Sequence, residues 1–179
     1  MVRLDKAAEA TGAVIDRRPF LLAADRPIEG EPRPLREGET ETELNDAWKE
    51  RAQEAGIVMR RPALSPNTNM AHEATAFAKA KGLDGEFHHA AAKAYWEDGV
   101  DLGNRDVLLN LGAECGLDIA ELGAALESGQ YRQYVLDEDQ AARDLGVFGT
   151  PTYRINGGEP DFGDKSVDEM TSMIEGGAD

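Results

Sequence analysis

The chain is poor in cysteine: Cys115 stands alone among 179 residues, so no disulfide can close within it and the reducing cytoplasm is the expected compartment. It has no apolar run long enough to cross a bilayer as a helix. Nor does it open on a charged segment followed by an apolar one, and the expectation is a soluble, non-exported protein. Lysine is scarce too, with six among nineteen basic residues, against 35 acidic ones and a net charge of −16. A field of that sign repels phosphate backbones and anionic lipid. Neither nucleic acid nor a membrane is therefore expected as a partner.

What is present is mostly helical signal. Apolar residues make up 41% of the chain and recur at helical spacing, so the acidity reads as solvated faces rather than disorder. Residues 1–11 read as a helix with Leu4, Ala7, Ala8 and Thr11 on one side and Gly12 as its stop, but no capping residue precedes it. Residues 14–22 read as a strand carrying Val14, Ile15, Phe20, Leu21 and Leu22, with Pro19 marking an exposed side or a bend. Residues 23–38 hold Pro27, Gly30, Pro32, Pro34 and Gly38 and read as a long loop, of the length that is either functional or mobile.

Six helices are expected next. The first opens on the capping box Thr40-Glu41-Thr42-Glu43 and closes at Gly56. Others are expected over 68–81, 86–98 and 105–115, the last capped by Asn104. A further box at Asp118 to Glu121 starts a helix that stops at Gly129, and 130–145 forms the sixth.

The helical block ends at Gly146-Val147-Phe148-Gly149-Thr150-Pro151. Gly146 reads as the left-handed residue after a helix, and Gly149 as a sharp turn into the extended run 152–155. Asn156-Gly157 is a strong hairpin signal, so a return strand is expected over 159–162, followed by a helix capped by Ser166 with Glu169. A proline at the start of a strand protects an edge or holds a cis bond. The residues alone favour trans, since only about one X-Pro bond in twenty is cis in folded proteins.

Strands at both ends of a helical block imply one sheet interrupted by an insertion, an α/β fold. The segments Asp16-Arg17-Arg18-Pro19-Phe20-Leu21-Leu22, Ser65-Pro66-Asn67-Thr68 with Ala71-His72, Asp98 to Asn104, and Gly146 to Gly157 run in order through nearly the whole chain. Together they resemble the DsbA-like thioredoxin family, in its FrnE-like branch, which is related to 2-hydroxychromene-2-carboxylate isomerases and kappa-class glutathione transferases. The resemblance implies a thioredoxin-like core over 1–66 and 146–179 around a helical insertion over 67–145. It implies a cis bond at Thr150-Pro151, with Thr150 and Pro151 as the substrate-binding residues. It also implies a thiol or disulfide protein or peptide substrate, or else glutathione, with a homo-oligomer as a further option.

One departure matters. The family's Cys-x-x-Cys at the start of its first helix has no counterpart here, and neither has the strand before it. Such chemistry needs an exposed, low-pKa thiolate and a resolving thiol. Cys115, among Val107, Leu108 and Leu111, reads instead as a buried small hydrophobe, and no catalytic residue is assigned in this chain. The expectation is that the reacting half lies before Met1, behind a start codon placed too late, or else that the chain is a natural degenerate member. A non-catalytic peptide- or partner-binding module is the third option.

Other groups are weaker signals. His72 matches a family motif, but His72, His88 and His89 lack the spacing of a metal site, and Trp48, Tyr95, Trp96 and Tyr131 read as helix packing. Gly157-Gly158 lacks the lysine of a phosphate loop. The acidic, lysine-poor and alanine-rich composition is similar to that of proteins from salt-adapted organisms, whose self-repulsion molar salt screens. Thermal melts should therefore show greater stability in about 2 M than in about 0.1 M potassium chloride; equal melting temperatures would remove that reading.

Overall fold

The computed structural model describes residues 2–177, and its chain divides into two compact units, 2–22 with 137–177 and 23–136. These units reflect packing. The boundaries expected from sequence concern a core and an insertion, which is a matter of descent and need not coincide with them.

The unit 23–136 holds five whole helices, and all but the first of them bury a shared core. They are α2 (Asp46–Ala55), α3 (Asn69–Ala80), α4 (Asp84–Asp98), α5 (Arg105–Glu114) and α6 (Ile119–Ser128). Alanines on α3 let neighbouring helices approach, and Phe77, Phe87, Leu108 and Leu122 fill the space between them. Gly112 permits the tightest approach, because a Cβ there would lie 2.6 Å from Leu122 Cδ2. The punctuation follows the sequence: Asn104 and Asp118 cap their helices through side-chain acceptors, and Gly56, Gly99 and Gly129 take left-handed conformations after theirs. One start differs. The Thr40 hydroxyl accepts from the Glu43 N–H at 3.1 Å, but this closes only a turn, and α2 begins at Asp46 under the Asn45 cap.

Residues 23–66 bury Leu44, Ala52 and Pro62 and are ordered from within by a buried ion cluster. Both Arg33 guanidinium nitrogens Nη1 and Nη2 donate to Glu39, at 2.8 and 2.7 Å, and the Arg36 N–H donates to the same carboxylate at 3.1 Å. Arg61 donates to the Arg33 and Glu41 carbonyls and lies 3.6 Å from Glu39. This arrangement lines up a short antiparallel pair that the sequence did not suggest, β1 (Glu31–Pro32) with β2 (Leu64–Ser65). Gly30, at φ +74°, makes room for it: a Cβ there would sit 2.9 Å from the Ser65 carbonyl oxygen.

The other unit packs α1 (Val2–Thr11) against α8 (Val167–Gly176), with Ala7, Ala8 and Met170 buried between them. α7 (Arg132–Asp144) contributes its C-terminal turns, followed by β3 (Thr152–Tyr153) and β4 (Asp161–Phe162). Leu4, Tyr153, Ile155, Met173 and Ile174 enclose a small apolar gap beside Met170. The full capping box at Ser166 and Glu169 forms as the sequence indicates.

The strand expected over 14–22 does not form. No ladder includes it among the described residues, and Val14 is 96% exposed. A strand needs a neighbour to take its backbone groups. At Leu21 side chains do this instead: Asp139 accepts from its N–H at 2.8 Å, and Arg143 donates to its carbonyl at 2.8 Å while lying over the Phe20 ring.

The Arg33 hydrogen bonds hold the Glu39 carboxyl down to about 2 from an ordinary value of 4.5. A carboxylate depressed on folding adds stability that is whole above its unfolded pKa and is lost as pH falls through the folded one. The contribution should therefore disappear between pH 4.5 and about 2. Glu39→Gln, which strands two buried arginines, should cost roughly 3–5 kcal/mol in urea unfolding at neutral pH. That difference should shrink as the acid limit is approached; a cost independent of pH would contradict this account.

Candidate functional site

The approach to β3 is set by how α7 ends. Gly146 adopts φ +81°, its N–H donates to the Arg143 carbonyl, and the Val147 N–H reaches back to Ala142 at 3.0 Å. Four residues on, the Thr150-Pro151 peptide is cis, and both residues are exposed. Gly149 is buried but has no left-handed φ, so its role differs from the sharp turn that the sequence suggested. It lies beneath the Phe162 ring, and a Cβ at Gly149 would come within 2.9 Å of Phe162 Cε2.

Within the loop 154–160 that joins the strands, Asn156 and Gly157 both take positive φ, 47° and 79°, in a tight turn closed by the Gly158 N–H donating to the Ile155 carbonyl at 2.8 Å. Arg154 stiffens it by donating to the Gly157 and Gly158 carbonyls. Thr152 pairs with Phe162 and Tyr153 with Asp161, in antiparallel register.

That register decides which way the backbone groups face. The Gly163 N–H donates to the Pro151 carbonyl at 3.0 Å, so Pro151 and Gly163 form a hydrogen-bonded pair. Antiparallel pairs alternate, and the N–H and C=O of Thr152 and Phe162 therefore point outward, toward opposite edges. On the β4 edge the outward Phe162 carbonyl accepts from Lys165 Nζ at 3.3 Å, and that lysine also pairs with Asp161 at 2.9 Å. Among the described residues no strand or side chain covers the β3 edge in this way, and the backbone N–H and C=O of Thr150 form no hydrogen bond. Thr152 Oγ1 donates to the Gly149 carbonyl at 2.7 Å and holds the turn from within.

Two phenylalanines adjoin this edge. The Phe148 and Phe162 rings lie 4.7 Å apart at 44°, and the residues are 73% and 47% exposed. The sequence reading assigned neither of them a role. The available signal was Phe148, a large apolar residue placed between a helix stop and a turn, where no core can receive it. Arg3 pairs with Asp164 at 3.0 Å, joining α1 to the chain after β4.

The remaining candidates lie in the unit 23–136. Cys115 follows α5, half-buried against the helical core rather than fully enclosed. Burial, followed by the charges of Glu114 and Glu86, pushes its thiol pKa up, the opposite of what an attacking thiolate needs. His72 is half-buried on α3. The rings of His88 and His89 stand edge to face on α4, 6.2 Å apart. Among the described residues no three potential ligands gather as a metal site. The aromatic residues contact one another: Trp48 stacks on Trp96, Tyr95 meets Trp96 edge-on, and Tyr131 meets Phe77. No described helix is long and apolar enough to cross a membrane.

Comparison with known proteins agrees with this geometry. A probable DsbA oxidoreductase of Streptomyces coelicolor superposes with a TM-score of 0.82 at 21% identity, over 98% of this chain and 82% of that one. A 2-hydroxychromene-2-carboxylate isomerase superposes with a TM-score of 0.67 at 19% identity, over 98% and 85%. The uncharacterised protein YwbO of Bacillus subtilis (strain 168) is 31% identical over 83 residues, a match that spans 45% of this chain and 42% of YwbO. The model of the DSBA-like thioredoxin domain matches residues 1–175, and the chain belongs to that family, with a thioredoxin-like α/β fold and no Cys-x-x-Cys among its residues.

Proposed function

We propose that this chain is the substrate-holding part of a DsbA- and FrnE-like thiol-disulfide oxidoreductase system, and that Thr150 and Pro151 form its binding edge. The carrying observation is the cis Thr150-Pro151 peptide, exposed at the start of a β3 edge that no described strand or side chain covers, beside outward backbone groups at Thr152. An extended segment of a thiol or disulfide protein adds there as a strand, bonded through main-chain groups. Pro151 offers no N–H to compete and spends its carbonyl on Gly163. The single cysteine and the acidic, lysine-poor sequence support a cytoplasmic site of action in a salt-adapted cell.

Titration of the isotope-labelled chain with a capped, extended peptide should move the amide signals of Thr150 and Thr152 first, with saturation. Movement at those positions with glutathione alone would favour the isomerase and glutathione-transferase reading, and no movement with either ligand would remove the binding edge. Residues 1–179 should not accelerate insulin reduction by dithiothreitol, because Cys115 is half-buried and its pKa is raised. Turnover that disappears in Cys115→Ser would contradict that placement of the chemistry.

A further inference from the structure

The carbonyls on either side of Thr150 are each held from within the hairpin. The Pro151 carbonyl accepts from the Gly163 N–H at 3.0 Å, and the Gly149 carbonyl accepts from Thr152 Oγ1 at 2.7 Å. The first is a backbone bond; the second depends on one side chain.

Gly149 is buried beneath the Phe162 ring, where a Cβ would come within 2.9 Å of Cε2, and an acceptor at such a position is costly to leave unmade. Few donors can reach it. The Thr150 N–H belongs to the same peptide unit and points the other way, and Pro151 has no N–H. The Thr152 N–H sits on the peptide unit whose carbonyl is turned to Gly163, so it faces away as well. Among the described residues the Thr152 hydroxyl is the group that meets the Gly149 carbonyl.

That bond fixes a direction. The Gly149-Thr150 peptide is trans, a rigid plane whose C=O and N–H point in opposite senses. Holding the oxygen inward therefore aims the Thr150 N–H outward, and this N–H forms no hydrogen bond among the described residues. Glycine supplies no such restraint, because a residue without a Cβ leaves the plane more freedom to rotate than any other.

We propose that Thr152 is a positioning residue of the Thr150-Pro151 site: its hydroxyl locks the Gly149-Thr150 peptide plane and so presents the Thr150 N–H to the backbone of a bound thiol or disulfide protein segment. The proposal rests on the reading of Thr150 and Pro151 as the substrate-holding residues and names the group that sets their geometry. It does not depend on what lies along β3, because the bond closes within residues 149–152.

The test compares Thr152→Val, which keeps the branched shape and loses the hydroxyl, with Thr152→Ser, which keeps the hydroxyl and loses the methyl. The whole chain is used, well below the melting temperature of either variant. Residual dipolar couplings give the orientation of the Thr150 N–H, and amide-shift titration gives the affinity for a capped hexapeptide of alternating valine and serine. Thr152→Val should change the Thr150 coupling and weaken the peptide about tenfold, as the loss of one well-placed hydrogen bond implies. Thr152→Ser should match the unaltered chain in both. A Thr152→Val variant that melts earlier yet keeps its affinity, or loses affinity with the Thr150 coupling unchanged, would overturn the positioning role alone. So would a Thr152→Ser variant as defective as Thr152→Val, since packing of the methyl group would then be responsible. If the unaltered chain binds no peptide at Thr150, the substrate-holding reading fails and the positioning role fails with it.

Discussion

The hydrogen bond from the Gly163 N–H to the Pro151 carbonyl sets the direction of every backbone group around it. Because antiparallel pairing alternates, satisfying Pro151 inward obliges Thr152 to face outward, and among the described residues no strand covers that edge of β3. An open edge is a hazard that proteins commonly blunt with lysine, bulges or covering elements. Lys165 does this at the neighbouring β4 edge. The asymmetry between the two edges is the physical basis for reading one of them as a binding surface.

Elsewhere in the molecule side chains take over what strands would otherwise do. Asp139 and Arg143 bind both backbone groups of Leu21, where the sequence suggested a strand. The Arg33, Glu39 and Arg61 cluster orders a proline-rich segment that has little apolar surface to bury. A buried ion cluster gives weak net stability, but it is exacting about geometry and penalises the loss of any one member. It fits a segment whose position matters more than its contribution to the core.

The helical block was largely legible from the sequence. Asn104, Asp118, Ser166 and the stops at Gly56, Gly99 and Gly129 act locally, so a short window of sequence contains the cause. The hairpin was legible for the same reason, since Asn156 and Gly157 specify their turn without help. Thr40 misled because its box closed a turn six residues before α2. The strand expected over 14–22 misled because alternation records a wish for a partner and cannot report whether one is there. The β1–β2 pair and the ring contact over Gly149 depend on residues far apart in the chain, and no local pattern contains them. Thr150 and Pro151 were found through family resemblance. The contact between the exposed rings of Phe148 and Phe162 joins positions that no local pattern connects.

The central claim is that the β3 edge is open and accepts an added strand, and residue-resolved amide hydrogen exchange tests it most directly. The account predicts that Thr150 and Thr152 exchange rapidly in the free chain and slow by about tenfold or more when saturated with an extended peptide, while Tyr153, bonded to β4, is protected throughout. Protection of Thr150 and Thr152 already in the free chain, or exchange that peptide leaves unchanged, would contradict it.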